Sequence, residues 1–96
     1  MIVRDGSRLR VQGAVTMGNV MSLLEAGLQQ LGPELKEVDF SGLEEVDSSA
    51  ISMVLEWLRV SQSRHLQLSV VNMPDNMKSL ASLYGVLEFI SFSGGR

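Results

Sequence analysis

Two hydrophobic periods alternate along this chain, and this alternation restricts the fold more than any single motif does. Segments with apolar residues at every second position indicate strands, and segments with apolar residues three or four positions apart indicate helices. Taken in order, the pattern predicts strand, strand, helix, strand, helix, strand, helix and strand, joined by short links. Such alternation favours a mainly parallel sheet with right-handed crossovers. At 96 residues, the chain is expected to form a single α/β domain over residues 1–96.

Caps, breakers and turn residues set the predicted boundaries. Asp5-Gly6 is typical of a hairpin between a short first strand and a second strand over residues 8–15. The later strands are predicted at 38–41, 66–71 and 86–92, with a turn at Gly42 after the first of these. The helices are predicted to begin near Thr16, Ser48 and Pro74 and to end at Gly32-Pro33, near Ser63 and at Gly85. In the first helix the apolar face comprises Met17, Val20, Met21, Leu24, Leu28 and Leu31.

Composition and charge exclude several classes of function. The net charge of −3 and pI near 5.0 offer no clustered basic residues for nucleic acid. The absence of cysteine excludes disulfides, thiolate zinc sites and cysteine nucleophiles. No apolar run reaches the length of about 20 residues that spans a bilayer, and no signal peptide is visible. We therefore expect a cytoplasmic protein that does not insert into a membrane.

The titratable and hydroxyl side chains do not form a recognisable catalytic motif. His65 is the single histidine and lies between Arg64 and Leu66 without an evident partner. The acidic residues near Asp47 match a solvated turn better than a metal site. Ser48 and Ser49 lack the flanking glycines of a nucleophile elbow, and no glycine-rich phosphate loop follows a strand. We predict no enzymatic activity, no metal and no cofactor.

The turn Asp47-Ser48-Ser49-Ala50 is the most distinctive segment of the sequence. Asp47 or Ser48 can accept hydrogen bonds from the free N–H groups at the start of the following helix. Capping alone is one explanation of the pattern. The other is that an exposed hydroxyl at the helix start is contacted by a partner protein or phosphorylated, which would add negative charge beside Asp47.

The helix after this turn has two apolar sides. One side, predicted to face the sheet, comprises Ile51, Val54, Leu55 and Leu58, and the opposite side comprises Met53, Trp57 and Val60. A small domain has little interior with which to cover both sides. We therefore predict that Met53, Trp57 and Val60 bind a partner protein; the alternative is that a neighbouring helix covers Trp57.

Residues 38–50 and the order of the elements resemble the STAS domain family, named for sulfate transporters and anti-sigma-factor antagonists. In that family a hydrophobic strand ends in Asp, a polar linker follows, and an Asp-Ser-Ser/Thr-Gly-like turn begins the next helix. Ala50 stands here in place of the usual Gly. The resemblance covers nearly the whole chain. It implies a STAS-like fold with a mainly parallel sheet of about five strands and three helices in successive βα units.

Residues 80–86, after the Pro74-led helix, resemble the branch formed by the cytoplasmic STAS subunits of bacterial phospholipid ABC transporters. This implies a non-catalytic subunit that places Asp47, Ser48, Ser49 and the following helix on the transporter ATPase, peripheral to the inner membrane through that partner. The alternative branch is the anti-sigma-factor antagonist, in which Ser48 would be phosphorylated. A small-ligand carrier with a pocket near Thr16, and a homodimer formed through the Trp57 side, are further alternatives.

Overall fold

The computed structural model describes residues 1–85 and contains four strands and three helices in this part of the chain. In chain order they are β1 (Ile2–Asp5), β2 (Arg8–Val15), α1 (Val20–Gln30), β3 (Glu37–Val46), α2 (Ser48–Ser63), β4 (Ser69–Val71) and α3 (Asp75–Leu83).

The strands form one mixed sheet in the order β1-β2-β3-β4. β1 and β2 are an antiparallel hairpin whose turn includes Gly6 at a φ of +64°, a conformation that glycine adopts without strain. β2 pairs with β3, and β3 with β4, in parallel. The predicted α/β fold with a mainly parallel sheet is confirmed, and residues 1–85 contain four of the predicted strands. The strand predicted at 86–92 lies outside the described residues.

The core lies on one face of the sheet, under all three helices. Alternate side chains of the strands point into it, because successive residues of a strand face opposite sides. Leu23 of α1, Trp57 of α2 and Met77 of α3 belong to this same core. The strand side chains that they cover include Leu9, Val11, Val38, Phe40 and Val70.

The opposite face of the sheet carries a cluster of charged side chains. Arg8 donates hydrogen bonds to Glu37 (2.7 Å) and to the buried carboxylate of Asp39 (3.2 Å). Asp39 also accepts from the Ser41 backbone N–H (2.8 Å) and the Asn72 amide (3.1 Å). Burial alone would raise the pKa of Asp39, but the bonds from Ser41 and Asn72, together with the Arg8 charge, outweigh it and lower that pKa.

Three predicted boundaries are wrong. The strand predicted at 66–71 begins only at Ser69, and the other two errors lie near the Asp47 turn. No turn interrupts the chain at Gly42, because β3 continues to pair with β2 as far as Val46. α1 begins at Val20, and its N-cap position is Asn19, not Thr16. The loop that links β2 to α1 is therefore longer than the sequence indicates.

Candidate docking surface

Two connections leave the sheet side by side at one end. Val15, the last residue of β2, pairs with Val46, the last residue of β3. Because these strands are parallel, the loop over residues 16–19 and the turn that begins at Asp47 emerge at the same edge. The following helices, α1 and α2, contact each other. This end of the molecule therefore combines two loops and two helix N-termini.

The Asp47 carboxylate joins the two connections. One oxygen, Oδ1, accepts hydrogen bonds from the Ser49 backbone N–H (2.9 Å) and from the Ser49 hydroxyl. The other oxygen, Oδ2, accepts from the backbone N–H of Met17 in the neighbouring loop (2.9 Å). The Ser49 hydroxyl, followed by the Met17 N–H, holds the pKa of Asp47 below its ordinary value. Asp47 is thus a charged N-cap of α2 and also fixes the loop beside it.

The two serines of the turn have different environments. Ser49 is half-buried, and its hydroxyl donates to Asp47. Ser48 is exposed at the first position of α2. A partner protein or a modifying enzyme can therefore reach Ser48 more easily than Ser49.

The loop before α1 is held by a second polar side chain. Asn19 Oδ1 accepts from the Thr16 N–H (2.9 Å), and Asn19 Nδ2 donates to the Ala14 carbonyl (2.9 Å). With its backbone fixed by Asn19 and Asp47, the loop leaves the Met17 side chain 79% exposed. Met21, in the first turn of α1, is 65% exposed.

Met17 and Met21 were predicted to lie on the buried face of α1, and that prediction is wrong. Met17 precedes the helix. Met21 lies at the flank of the helical face that points toward the core, since each residue advances about 100°. A helix that begins at Val20 instead of Thr16 does not contain Met17, so the misplaced cap accounts for Met17 alone. The angle of Met21 relative to Val20 does not depend on where the helix begins.

Met53 and Trp57 do not form an exposed apolar face. Both residues are only 1% exposed, and α1 covers Trp57. The Trp57 indole Nε1 donates to the Leu24 carbonyl of α1 at 3.0 Å. The ring lies so close to Gly27 that a Cβ atom there would be 2.2 Å from Trp57 Cζ2. The prediction that these two side chains are available to a partner is wrong, and the alternative, a covering helix, is what the structure contains.

Val60 is the third residue of the predicted apolar side, and it is half-buried. It lies twelve positions after Ser48 in α2, which is about 18 Å along the helix axis. The structure therefore brings Asp47, Ser48 and Ser49 together with Met17 and does not bring Val60 to them. A role for Val60 in binding stays a prediction.

Comparison with known proteins identifies the family. The family model described as "Mlab, STAS domain" matches residues 2–91. Among curated proteins no sequence matches significantly. The solved structure titled "Structure of the Anti-Sigma Factor Antagonist SpoIIAA in its Unphosphorylated Form" is similar, with a TM-score of 0.69 at 14% identity. The match covers 99% of this chain and 88% of that one.

A second solved structure, titled "Crystal Structure Analysis of Mglu", has a TM-score of 0.57 at 21% identity. It covers 80% of this chain but only 20% of that larger chain, and at such identities both structures establish the fold alone. No helix within residues 1–85 is long and apolar enough to cross a membrane. STAS domains are generally non-catalytic regulatory domains. Because the family model matches almost the whole sequence, this chain belongs to the STAS domain family in its Mlab group.

Proposed function

We propose that this chain is a non-catalytic subunit of a bacterial phospholipid ABC transporter, which binds the cytoplasmic ATPase and stabilises or regulates it. It would be peripheral to the inner membrane through that ATPase. The observation that carries the proposal is the exposed Ser48 at the start of α2, on a turn that Asp47 fixes to the neighbouring loop. The match to the Mlab description supports a transporter subunit over other members of the family.

The shape of the turn favours recognition over catalysis. Both carboxylate oxygens of Asp47 accept hydrogen bonds, and these bonds hold the start of α2 and the neighbouring loop in place. His65 lies beyond the other end of α2, far from Ser48. A rigid, solvent-facing helix start is instead suited to a protein contact, because its backbone needs no reordering when a partner binds.

The proposal is tested by the affinity of the chain for the transporter ATPase from the same genome, measured by isothermal titration calorimetry. Ser48→Glu adds a bulky charge to the turn and is expected to weaken binding by tenfold or more. Gln62→Glu is the matched control, since it adds the same charge at an exposed position about 21 Å further along α2. We expect this control to leave binding unchanged. Absence of binding by the unmodified chain would refute the proposal.

Ser48 is also the residue at which a phosphorylation switch would act. Phosphate at this position would add about −1.5 to −2 charges beside Asp47 at the N-terminus of α2. Incubation with a candidate anti-sigma kinase and ATP, followed by intact mass, tests this alternative. Stoichiometric phosphate on wild type and none on Ser48→Ala would favour an anti-sigma-factor antagonist over a transporter subunit.

A further inference from the structure

The exposed apolar residues at the end of the sheet form a surface that the family assignment does not describe. We define the methionine surface as the side chains of Met17, whose backbone N–H donates to Asp47, and of Met21, four residues further along the chain in the first turn of α1. Met17 is 79% exposed to solvent and Met21 is 65% exposed. Exposed apolar side chains that share one loop-and-helix edge mark an interaction site more often than a scattered surface residue does.

The charged side chains of the two segments that carry the methionine surface and the Asp47 turn all have the same sign. Neither residues 11–35 nor residues 37–58, the two segments that build this end, contain a lysine or arginine. Glu44 and Glu45 are exposed near the end of β3, two and one residues before the Val46 that pairs with the last residue of β2. Together with Asp47 they give this end an acidic border.

Basic side chains lie toward the other end of the same elements. Arg8 and Arg10 pair with Glu37 and Asp39 at the start of β3, away from Val46. Arg59 and Arg64 lie in the last third of α2 and just after it, away from Ser48. At that other end, acidic side chains accompany the basic ones, as in the ion pairs of Arg8 with Glu37 and of Arg10 with Asp5. At the end that carries the Asp47 turn, a partner meets acidic and apolar side chains of these two segments.

We propose that the methionine surface is the apolar centre of the contact with the ATPase, and that the ATPase covers it with an apolar patch bordered by Lys or Arg. This rests on the proposed function and specifies its chemistry. Flexible methionine side chains adapt to an apolar partner surface, and charged borders of opposite sign speed association. A second copy of this chain fits less well, because the acidic borders of two identical surfaces would repel each other.

The apolar part is tested with the double variant Met17→Ser and Met21→Ser. We expect its affinity for the ATPase to fall by tenfold or more, because the apolar centre of an interface carries most of the binding energy. Leu83→Ser is the control: this leucine is 75% exposed at the end of α3, and its replacement is expected to leave affinity unchanged. Circular dichroism and urea unfolding confirm that both variants remain folded.

The charge part is tested with Glu45→Lys, which reverses one charge at the acidic border. Glu34→Lys makes the same reversal at an exposed residue before the start of β3. We expect Glu45→Lys to slow association by several-fold at 50 mM NaCl, and this difference to shrink at 500 mM as salt screens the charges. Glu34→Lys is expected to have a smaller effect at both salt concentrations.

The outcomes separate this inference from the proposed function. If the wild-type chain binds the ATPase, Ser48→Glu weakens binding and the methionine variants do not, the proposed function stands and the inference is overturned. If Glu45→Lys and Glu34→Lys slow association equally, or if the association rate does not depend on salt, the proposed Lys or Arg border on the ATPase is refuted. If sedimentation shows that the wild-type chain dimerises and that the methionine variants abolish the dimer, a second copy occupies the surface and the inference fails.

Discussion

Among the contacts between the α1 segment, with its preceding loop, and the α2 segment, two have different physical origins. Midway along the helices, the Trp57 ring fills the space above Gly27 and its indole N–H bonds to Leu24. At the helix starts, Asp47 links the two segments by a hydrogen bond to the Met17 backbone, at a half-exposed position. The first contact is a close fit between buried surfaces, and the second is a polar connection at the edge of the sheet.

The difference separates residues that hold the domain together from residues that shape its surface. A buried aromatic ring contributes through the apolar area that it removes from water, and its fit tolerates little change. A surface carboxylate contributes less to stability but determines where the neighbouring loop lies. Substitutions at the Trp57–Gly27 contact should therefore change folding, and those at the Asp47–Met17 contact should mainly change binding.

The largest effect is expected from Trp57→Ala, which removes the ring from the contact. We expect a loss of about 3–5 kcal/mol in the free energy of unfolding, measured with urea. Leu83→Ala is the control at an exposed apolar residue and is expected to change stability by less than about 0.5 kcal/mol. Trp57 is the single tryptophan, so its emission in the wild type should move to longer wavelength on unfolding. Emission typical of exposed indole in the folded protein would contradict the contact.

A smaller effect is expected from Gly27→Ala. Alanine normally favours a helix interior over glycine by about 1 kcal/mol. Here its Cβ would lie 2.2 Å from the Trp57 ring, so we expect a net loss of about 1–3 kcal/mol in the free energy of unfolding. In a Trp57→Ala background the same change should become neutral or stabilising, because the ring is gone. If Gly27→Ala lowers the free energy of unfolding equally in the wild type and in Trp57→Ala, the Trp57 ring is not the reason that residue 27 must be glycine.

The smallest effect on stability is expected from Asp47→Asn. The amide keeps an oxygen that can cap α2 but loses the charge and the second acceptor for Met17. Because the pKa of Asp47 is lowered on folding, its charge stabilises the wild type above the ordinary pKa of 3.8, and this stabilisation is lost as the pH falls through the lower folded value. Wild type should therefore be more stable than Asp47→Asn at pH 7, and the difference should shrink as the pH falls below 3.8, by urea unfolding.

A stability difference between the two proteins that does not depend on pH would contradict this account of Asp47. Affinity for the proposed ATPase partner gives the complementary measurement. Asp47→Asn is expected to weaken binding although it barely changes folding, whereas Gly27→Ala is expected to change folding with little effect on the affinity of the folded fraction. If Asp47→Asn instead changed mainly folding and Gly27→Ala mainly binding, the distinction between the two contacts would be refuted.

Sequence patterns located most of the elements and the position of the turn, but not the surface around it. The helical period over α2 and the capping Asp47 were sufficient to place Ser48 at a helix start. The two apolar sides of α2 were also visible, but a sequence gives no distance between helices. Gly27 decides which of these sides is buried, because the absence of a side chain at this position allows α1 to approach α2 and cover Trp57.

By itself, the sequence determined the α/β alternation, the hairpin and the capped start of α2, because these depend on neighbours a few positions apart. Only the tertiary structure decided that Trp57 and Met53 lie inside while Met17 and Met21 lie outside. Pairing of β2 with β3 brought the loop of Met17 to Asp47, thirty positions away. Burial depends on which elements meet, and hydrophobicity alone does not distinguish a methionine that fills a core from one that faces solvent.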